Sequence, residues 1–304
     1  MEEAIVKTNS PKAWLLAARP KTLTGAAVPV MIGIALAWTD AQDYYGDNVF
    51  SWTAAILCLL FAFLMQIDAN FINDFFDFAN GADDAETRLG PRRACAQGWV
   101  KLDAMKRAIA ATTCLACIVG LPLVLFGGLE MIIVGAVCVV FCFLYTTHFS
   151  YLGLGDLLVL VFFGIVPVCI TYYLQLHTVT WQVFLASLAC GLVIDALLVV
   201  NNFRDRDNDR EASKRTLIVR LGAKAGLQLY LGVGVGAMIL GATFWQNGHP
   251  LAFFLPFIYF ILHVFTYLKI KRIDKGKALN LCLGETARNI FIYGLCVSLG
   301  LLLA

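Results

Sequence analysis

Charge is scarce in this chain. Only 14% of its 304 residues are Asp, Glu, Lys or Arg, where a soluble domain needs roughly 25% to face water. That shortage excludes an ordinary water-exposed fold. The net charge of +2 leaves no basic excess, and nucleic acid is not expected as a partner. Ten cysteines are present, but the framework that disulfides or zinc would need is missing. Nine of them (Cys58, Cys114, Cys117, Cys138, Cys142, Cys169, Cys190, Cys282 and Cys296) lie inside apolar runs, and only Cys95 lies in a polar segment. Cys114 and Cys117 form a CxxC with no second pair and no nearby histidine, which argues against zinc. The cysteines read as small buried hydrophobes in a compartment where thiols stay reduced. Apolar residues, by contrast, make up 60% of the chain. They fall in runs of about 20, long enough to cross a ~30 Å hydrocarbon core.

Reading those runs against breakers predicts an all-α, integral membrane fold. It is a single domain over 1–304, with about nine transmembrane helices bundled around a cavity. The expected spans are 22–38, 51–72, 107–127, 130–148, 156–175, 181–200, 225–245, 251–268 and 280–303. The first could be mistaken for a signal peptide, but the polar Arg19-Pro20-Lys21-Thr22 entry and the spans that follow favour a retained helix. In this arrangement 22 of the 23 Lys and Arg residues fall on one side, and Arg288 falls inside the last span. The connections 39–50, 128–130, 176–180 and 246–250 have none. The positive-inside bias therefore predicts a cytoplasmic N-terminus, an external C-terminus and a cytoplasmic polar mouth.

Two long cytoplasmic segments, 73–106 and 201–224, begin as helical continuations of their spans and carry acids at helical spacing. On the first, Gln66, Asn70, Asn73, Asp74 and Asp77 share a stripe, followed by Gly81, Asp83 and Asp84. On the second, Asn201, Asp205 and Asp209 stack, with Asp195 and Asn202 on an adjacent stripe. Stacked carboxylates repel, so a stripe near hydrocarbon is costly without a positive partner. Asp and Asn oxygens suit Mg²⁺, which is commonly shared between a few carboxylates and a substrate's phosphates. Two facing stripes make a site for a diphosphate held through Mg²⁺. The competing structural reading is a solvated helix end, with Asp205 and Asp209 paired to Arg204, Arg206 and Arg210.

At these residues the sequence resembles the UbiA superfamily of intramembrane prenyltransferases. The family pattern appears as Asn73-Asp74-x-x-Asp77, with Gly81 where its last Asp usually stands, and as Asp205-x-x-x-Asp209. Four further segments are similar to the 1,4-dihydroxy-2-naphthoate (MenA) branch. They are Arg19 to Leu23, Arg88 to Gly98, Tyr151 to Gly164, and Asn201 through Gly222. The resemblance implies a bacterial inner-membrane enzyme of menaquinone biosynthesis. Its substrates would be a polyprenyl diphosphate and 1,4-dihydroxy-2-naphthoate; its products would be demethylmenaquinone, CO₂ and diphosphate.

The same resemblance implies Mg²⁺ on Asp74, Asp77, Asp205 and Asp209, with Asp83, Asp84 or a water standing in for the acid missing at Gly81. Asn70, Asn73, Asn201 and Asn202 would surround the diphosphate. Lys21, Arg92, Arg204 and Lys214 are expected to clamp it. Tyr145 and Tyr151 are candidates to face an allylic cation. Asp68 and Asp195 read either as cavity wall or as helix-packing groups, and His148 either as a proton carrier or as structural. Two rivals stand beside this reading: a prenyltransferase with another aromatic acceptor, and an ion-coupled transporter. A transporter would place its acids at the midplane on broken helices within repeats, and no internal repeat is seen.

Overall fold

Lipid offers no hydrogen-bond partners to a peptide group, so a spanning chain must satisfy its backbone internally. The computed structural model describes residues 6–46, 49–81, 88–149 and 152–303, and among them every regular element is helical. A short helix, α1 (Pro11–Ala18), is capped by Ser10 and stopped by Arg19, which adopts a left-handed φ of 50°. After the turn Pro20–Thr22 come α2 (Leu23–Asp40) and α3 (Trp52–Ala79). The next helices are α4 (Leu102–Gly127), α5 (Glu130–Phe149), α6 (Gly155–Leu176) and α7 (Trp181–Glu211). The last are α8 (Ala223–Gln246), α9 (Pro250–Ile273) and α10 (Leu279–Leu302).

Eight segments among the described residues are long and apolar enough to cross a membrane: α1–α2 taken together, and each of α3 to α9. α10 is long enough, at 24 residues, but carries Asn280, Glu285, Arg288 and Asn289 in its first half. The expected count of about nine therefore holds by length, and eight by apolarity. The helices α3 and α7 run past the spans the sequence suggests, ending at Ala79 and Glu211. The two acidic stripes are thus the last turns of membrane helices.

α7 is the most enclosed helix and α5 the least. The core packs Ile32 and Leu36 of α2, Tyr172 of α6, Val193 of α7, and Tyr293 and Val297 of α10. Without water to expel between them, membrane helices hold together through close contact, which favours small residues. α6 and α7 meet at Gly164 and Gly191, where a Cβ added to Gly164 would lie 2.7 Å from the Gly191 Cα.

Polar bonds tie the bundle at both ends. At one end, Tyr172 donates to Asp40 (2.5 Å) and the Gln175 side chain brackets the Ser51 backbone (2.7 and 3.0 Å). At the other, Arg206 of α7 donates to the Asp274 carbonyl (2.7 Å) and Asn280 of α10 donates to the Leu89 carbonyl (2.8 Å). Both acidic stripes lie at this second end.

Candidate active site

The polar stripe of α3 divides into a part that holds scaffold and a part that faces the site. Asn70 donates to the Ala18 carbonyl and to the Thr22 hydroxyl, both at 2.9 Å. It thereby satisfies a carbonyl that the end of α1 leaves orphaned. Asn73 accepts from the Thr146 hydroxyl, which joins α3 to the widened last turn of α5 (Tyr145–Phe149). Asp74 has no exposed surface, and its two oxygens accept from the backbone N–H groups of Ala94 (2.8 Å) and Cys95 (3.0 Å). Asp74 was expected as a metal ligand; here each of its oxygens is engaged by a backbone donor in a place closed to solvent, unlike the open carboxylates of Asp77 and Asp205. Asp77 pairs with Arg93 at 3.0 Å and keeps some exposure. The helix then ends, with Gly81 at a φ of +70° and its N–H donating to the Phe78 carbonyl. A left-handed residue that favours glycine is what closes a helix. The family acid is missing where the helix turns off.

On α7, Arg204 is the centre. Its guanidinium donates to Asp205 (Nε, 2.8 Å), to Asn201 (2.8 Å) and, across to α10, to Asn280 (2.8 Å). The side chain is completely buried. Arg204 was expected to clamp the diphosphate; in the structure each of its three guanidinium nitrogens already bonds within the protein. The structural reading of the pairing is right for Asp205 and Arg204, although the pair is sunk rather than solvated. Asp209 lies 4.0 Å from Lys214. Arg206 turns away to Asp274 and the Phe203 ring, and Arg210 pairs with Asp207 at the surface.

Asp77 of α3 lies within electrostatic reach of Asp209, and Asp205 lies close to the same group. The two stripes are brought together through their partners: Arg93, which pairs with Asp77, and Asn280, which bonds Arg204, line one cavity. Tyr145 also lies near Asp77. It lines a small cavity of about 30 Å³ with Asp156, Asn202 and Thr216. Beside the acids, a second cavity of about 260 Å³ is lined by Arg88, Arg92, Arg93, Lys277 and Asn280. Burial, with Arg93 beside it, pulls the Arg88 guanidinium down to about 10, so it stays charged at neutral pH. Gly90 lies against Arg204, where a Cβ would come within 2.7 Å of a guanidinium nitrogen.

Lys21 is exposed on the turn before α2, and Arg92 is exposed at the rim of the larger cavity. Asp83, Asp84 and Tyr151 lie outside the described residues. Asp68 is buried and accepts from Thr113 (2.6 Å), joining α3 to α4. One Asp195 oxygen is buried without a partner. His148 contacts the neighbouring Thr147 hydroxyl (2.8 Å). Among the described residues, no three His, Cys, Asp or Glu side chains converge tightly enough to hold a metal. Asp77, Asp205 and Asp209 are each neutralised by a cation instead. Their hard carboxylate oxygens still match Mg²⁺ in chemistry. Asn280, Lys277 and Thr146 were not singled out by the sequence, and Arg19 and Arg93 entered only within segments that carry the resemblance. The one available signal was Asn280, a polar residue at the start of an apolar run, three positions after Lys277.

A sequence profile described as the UbiA prenyltransferase family matches residues 26–295. A 1,4-dihydroxy-2-naphthoate octaprenyltransferase of Escherichia coli is 37% identical over 252 residues, covering 80% of this chain and 78% of that protein. One from Mycobacterium tuberculosis is 36% identical over 231 residues, covering 75% of this chain and 76% of the other. Among solved structures, the apo form of a UbiA homolog from Aeropyrum pernix superposes with a TM-score of 0.67 at 16% identity, covering 92% of this chain and 97% of that one. A UbiA homolog from Archaeoglobus fulgidus bound to DMAPP and Mg²⁺ superposes with a TM-score of 0.61 at 14% identity, covering 93% and 98%.

Proposed function

The chain belongs to the UbiA prenyltransferase family, and we propose on that footing that it prenylates 1,4-dihydroxy-2-naphthoate with loss of the carboxylate, giving demethylmenaquinol, CO₂ and diphosphate. It is a multi-pass membrane protein. The observation that carries the reading is the pair of acidic helix ends beside a cationic cavity, all at one end of the bundle. The one-sided distribution of Lys and Arg supports placing that end in the cytoplasm, in a bacterial inner membrane.

The polyprenyl chain lies in the bilayer between helices, and its diphosphate reaches the polar end. Asp77, Asp205 and Asp209 would hold Mg²⁺, with Asn73 and Asn201 as neutral neighbours. When bound, Mg²⁺ supplies charge neutralisation of the diphosphate as it becomes a leaving group. Arg88, Arg92 and Lys277 line the adjoining cavity, with Lys21 and Lys214 nearby on the same end, and offer donors to the phosphoryl oxygens as their charge grows. Tyr145, which lines the smaller cavity with Asn202, presents an aromatic face to the allylic cation. The electron-rich ring carbon of the naphthoate closes the new C–C bond.

Purified protein in membranes, offered dihydroxynaphthoate and 4-hydroxybenzoate with one polyprenyl diphosphate, tests this by product mass. Prenylated naphthoquinol and CO₂ are expected. A preference for 4-hydroxybenzoate would move the protein to another branch of the family.

A further inference from the structure

We propose that Asp74 is a positioning residue, a latch that sets the cationic segment 88–98 over the diphosphate site. The inference rests on the reading above and deepens it. The segment's first ordered turn begins at Arg93: Gln97 N–H donates to the Arg93 carbonyl (3.0 Å), Gly98 N–H to Cys95 (3.0 Å) and Trp99 N–H to Ala94 (2.8 Å). The leading N–H groups of such a turn have no partner of their own, and a carboxylate is a strong acceptor for them. Asp74 accepts two of them, from Ala94 and Cys95.

Arg93, the residue just before, pairs with Asp77 one turn farther along α3. Three consecutive residues of the segment, Arg93, Ala94 and Cys95, are therefore registered against positions i and i+3 of one helix. Arg93, Arg92 and Arg88 are held at the cavity by that register, and Gly90 is held against Arg204. The guanidinium of Arg19 stands 3.9 Å from the Asp74 carboxylate and offsets its charge. Cys95, fixed by the latch, is buried in a cluster with Ala17, Ile72 and Met105. Asp74 thus acts on substrate only through the arginines that it places.

The thiol of Cys95 reports the latch without any turnover. In inverted vesicles, a membrane-impermeant maleimide should leave Cys95 protected in the unsubstituted protein and in Asp77→Asn. In Asp74→Asn, where the new amide N–H opposes one backbone donor, Cys95 should label about ten- to a hundredfold faster, the effect of losing one hydrogen bond to a charged group. Peptide mass mapping separates Cys95 from the other cysteines. In turnover, Asp74→Asn should raise KM for the prenyl diphosphate and leave the Mg²⁺ concentration for half-activation unchanged, whereas Asp77→Asn should raise that concentration. A protected Cys95 in Asp74→Asn, or a raised Mg²⁺ requirement matching that of Asp77→Asn, overturns the proposal in favour of a metal ligand.

Should Asp74→Asn fail to accumulate, Ala94→Pro withdraws one donor and keeps the carboxylate. Exposure of Cys95 there supports the latch, and protection overturns it. Because labelling needs no reaction, a wrong acceptor assignment would show in the products and leave this readout intact.

Discussion

The two acidic helix ends look alike in sequence and are built differently. On α7 the cation comes from within the motif: Arg204 bonds Asn201 and Asp205 on its own helix and reaches Asn280 on α10. On α3 the cation comes from a separate segment: Arg93 meets Asp77, and the next two residues, Ala94 and Cys95, bond Asp74. The α7 half is therefore preassembled by local spacing, while the α3 half depends on a loop finding its place. Damage to α7 should appear as lost stability, and damage to α3 as altered substrate handling as well.

The largest effects should come from the acids at the two helix ends. Asp77→Asn and Asp209→Asn each keep size and remove charge, and a lost electrostatic partner of a developing charge typically costs about 10²–10³ in rate. Diphosphate release, with membrane expression checked, measures this. Near-normal turnover in either variant would remove that residue from the site.

Next comes the cation on each side. Arg204→Gln leaves Asp205 without its buried partner, a change that typically costs about 3–5 kcal/mol. Thermal unfolding in detergent should show a clear loss. Arg93→Gln breaks a pair that is also largely buried but lines the cavity, and should raise the KM for prenyl diphosphate in addition to costing stability. An unchanged KM in that variant would erase the contrast.

A smaller effect is expected for Asn280→Ala, which breaks one bond to Arg204 and one to the Leu89 carbonyl. Each is a modest net contribution, about 1 kcal/mol for a neutral pair and somewhat more toward a charged one. Stability and KM should both move slightly, since this residue joins the two halves. Smallest of all is Lys275→Ala, which removes an exposed pair with Asp207. Exposed pairs contribute little, and both turnover and unfolding should stay within error.

Much of the fold was legible because the bilayer imposes it. Runs of apolar residues must become helices, and the sidedness of Lys and Arg follows from short connections without them. The site was legible only where side chains carry the signal. Asp77, Asp205 and Asp209 stand at helical spacing on the last turns of α3 and α7. Asp74 has the same spacing and a different role, because its partners are backbone amides, which leave no mark in a sequence. Arg204 read as a clamp because its strongest cross-helix partner, Asn280, is 76 positions away. Gly81 read as a missing ligand, and its positive φ shows that the helix ends there.

The glycine contact between α6 and α7 has a mechanical consequence. Gly164 meets the backbone of Ser187 and Gly191 directly, and so close a contact can act as a pivot between the two helices. Asp205 lies about 21 Å farther along α7 at ~1.5 Å per residue. A tilt of about 5° around that pivot would swing the carboxylate by nearly 2 Å along such an arm. The gap between the two acidic ends is thus gauged deep in the hydrocarbon, by two residues that have no side chain.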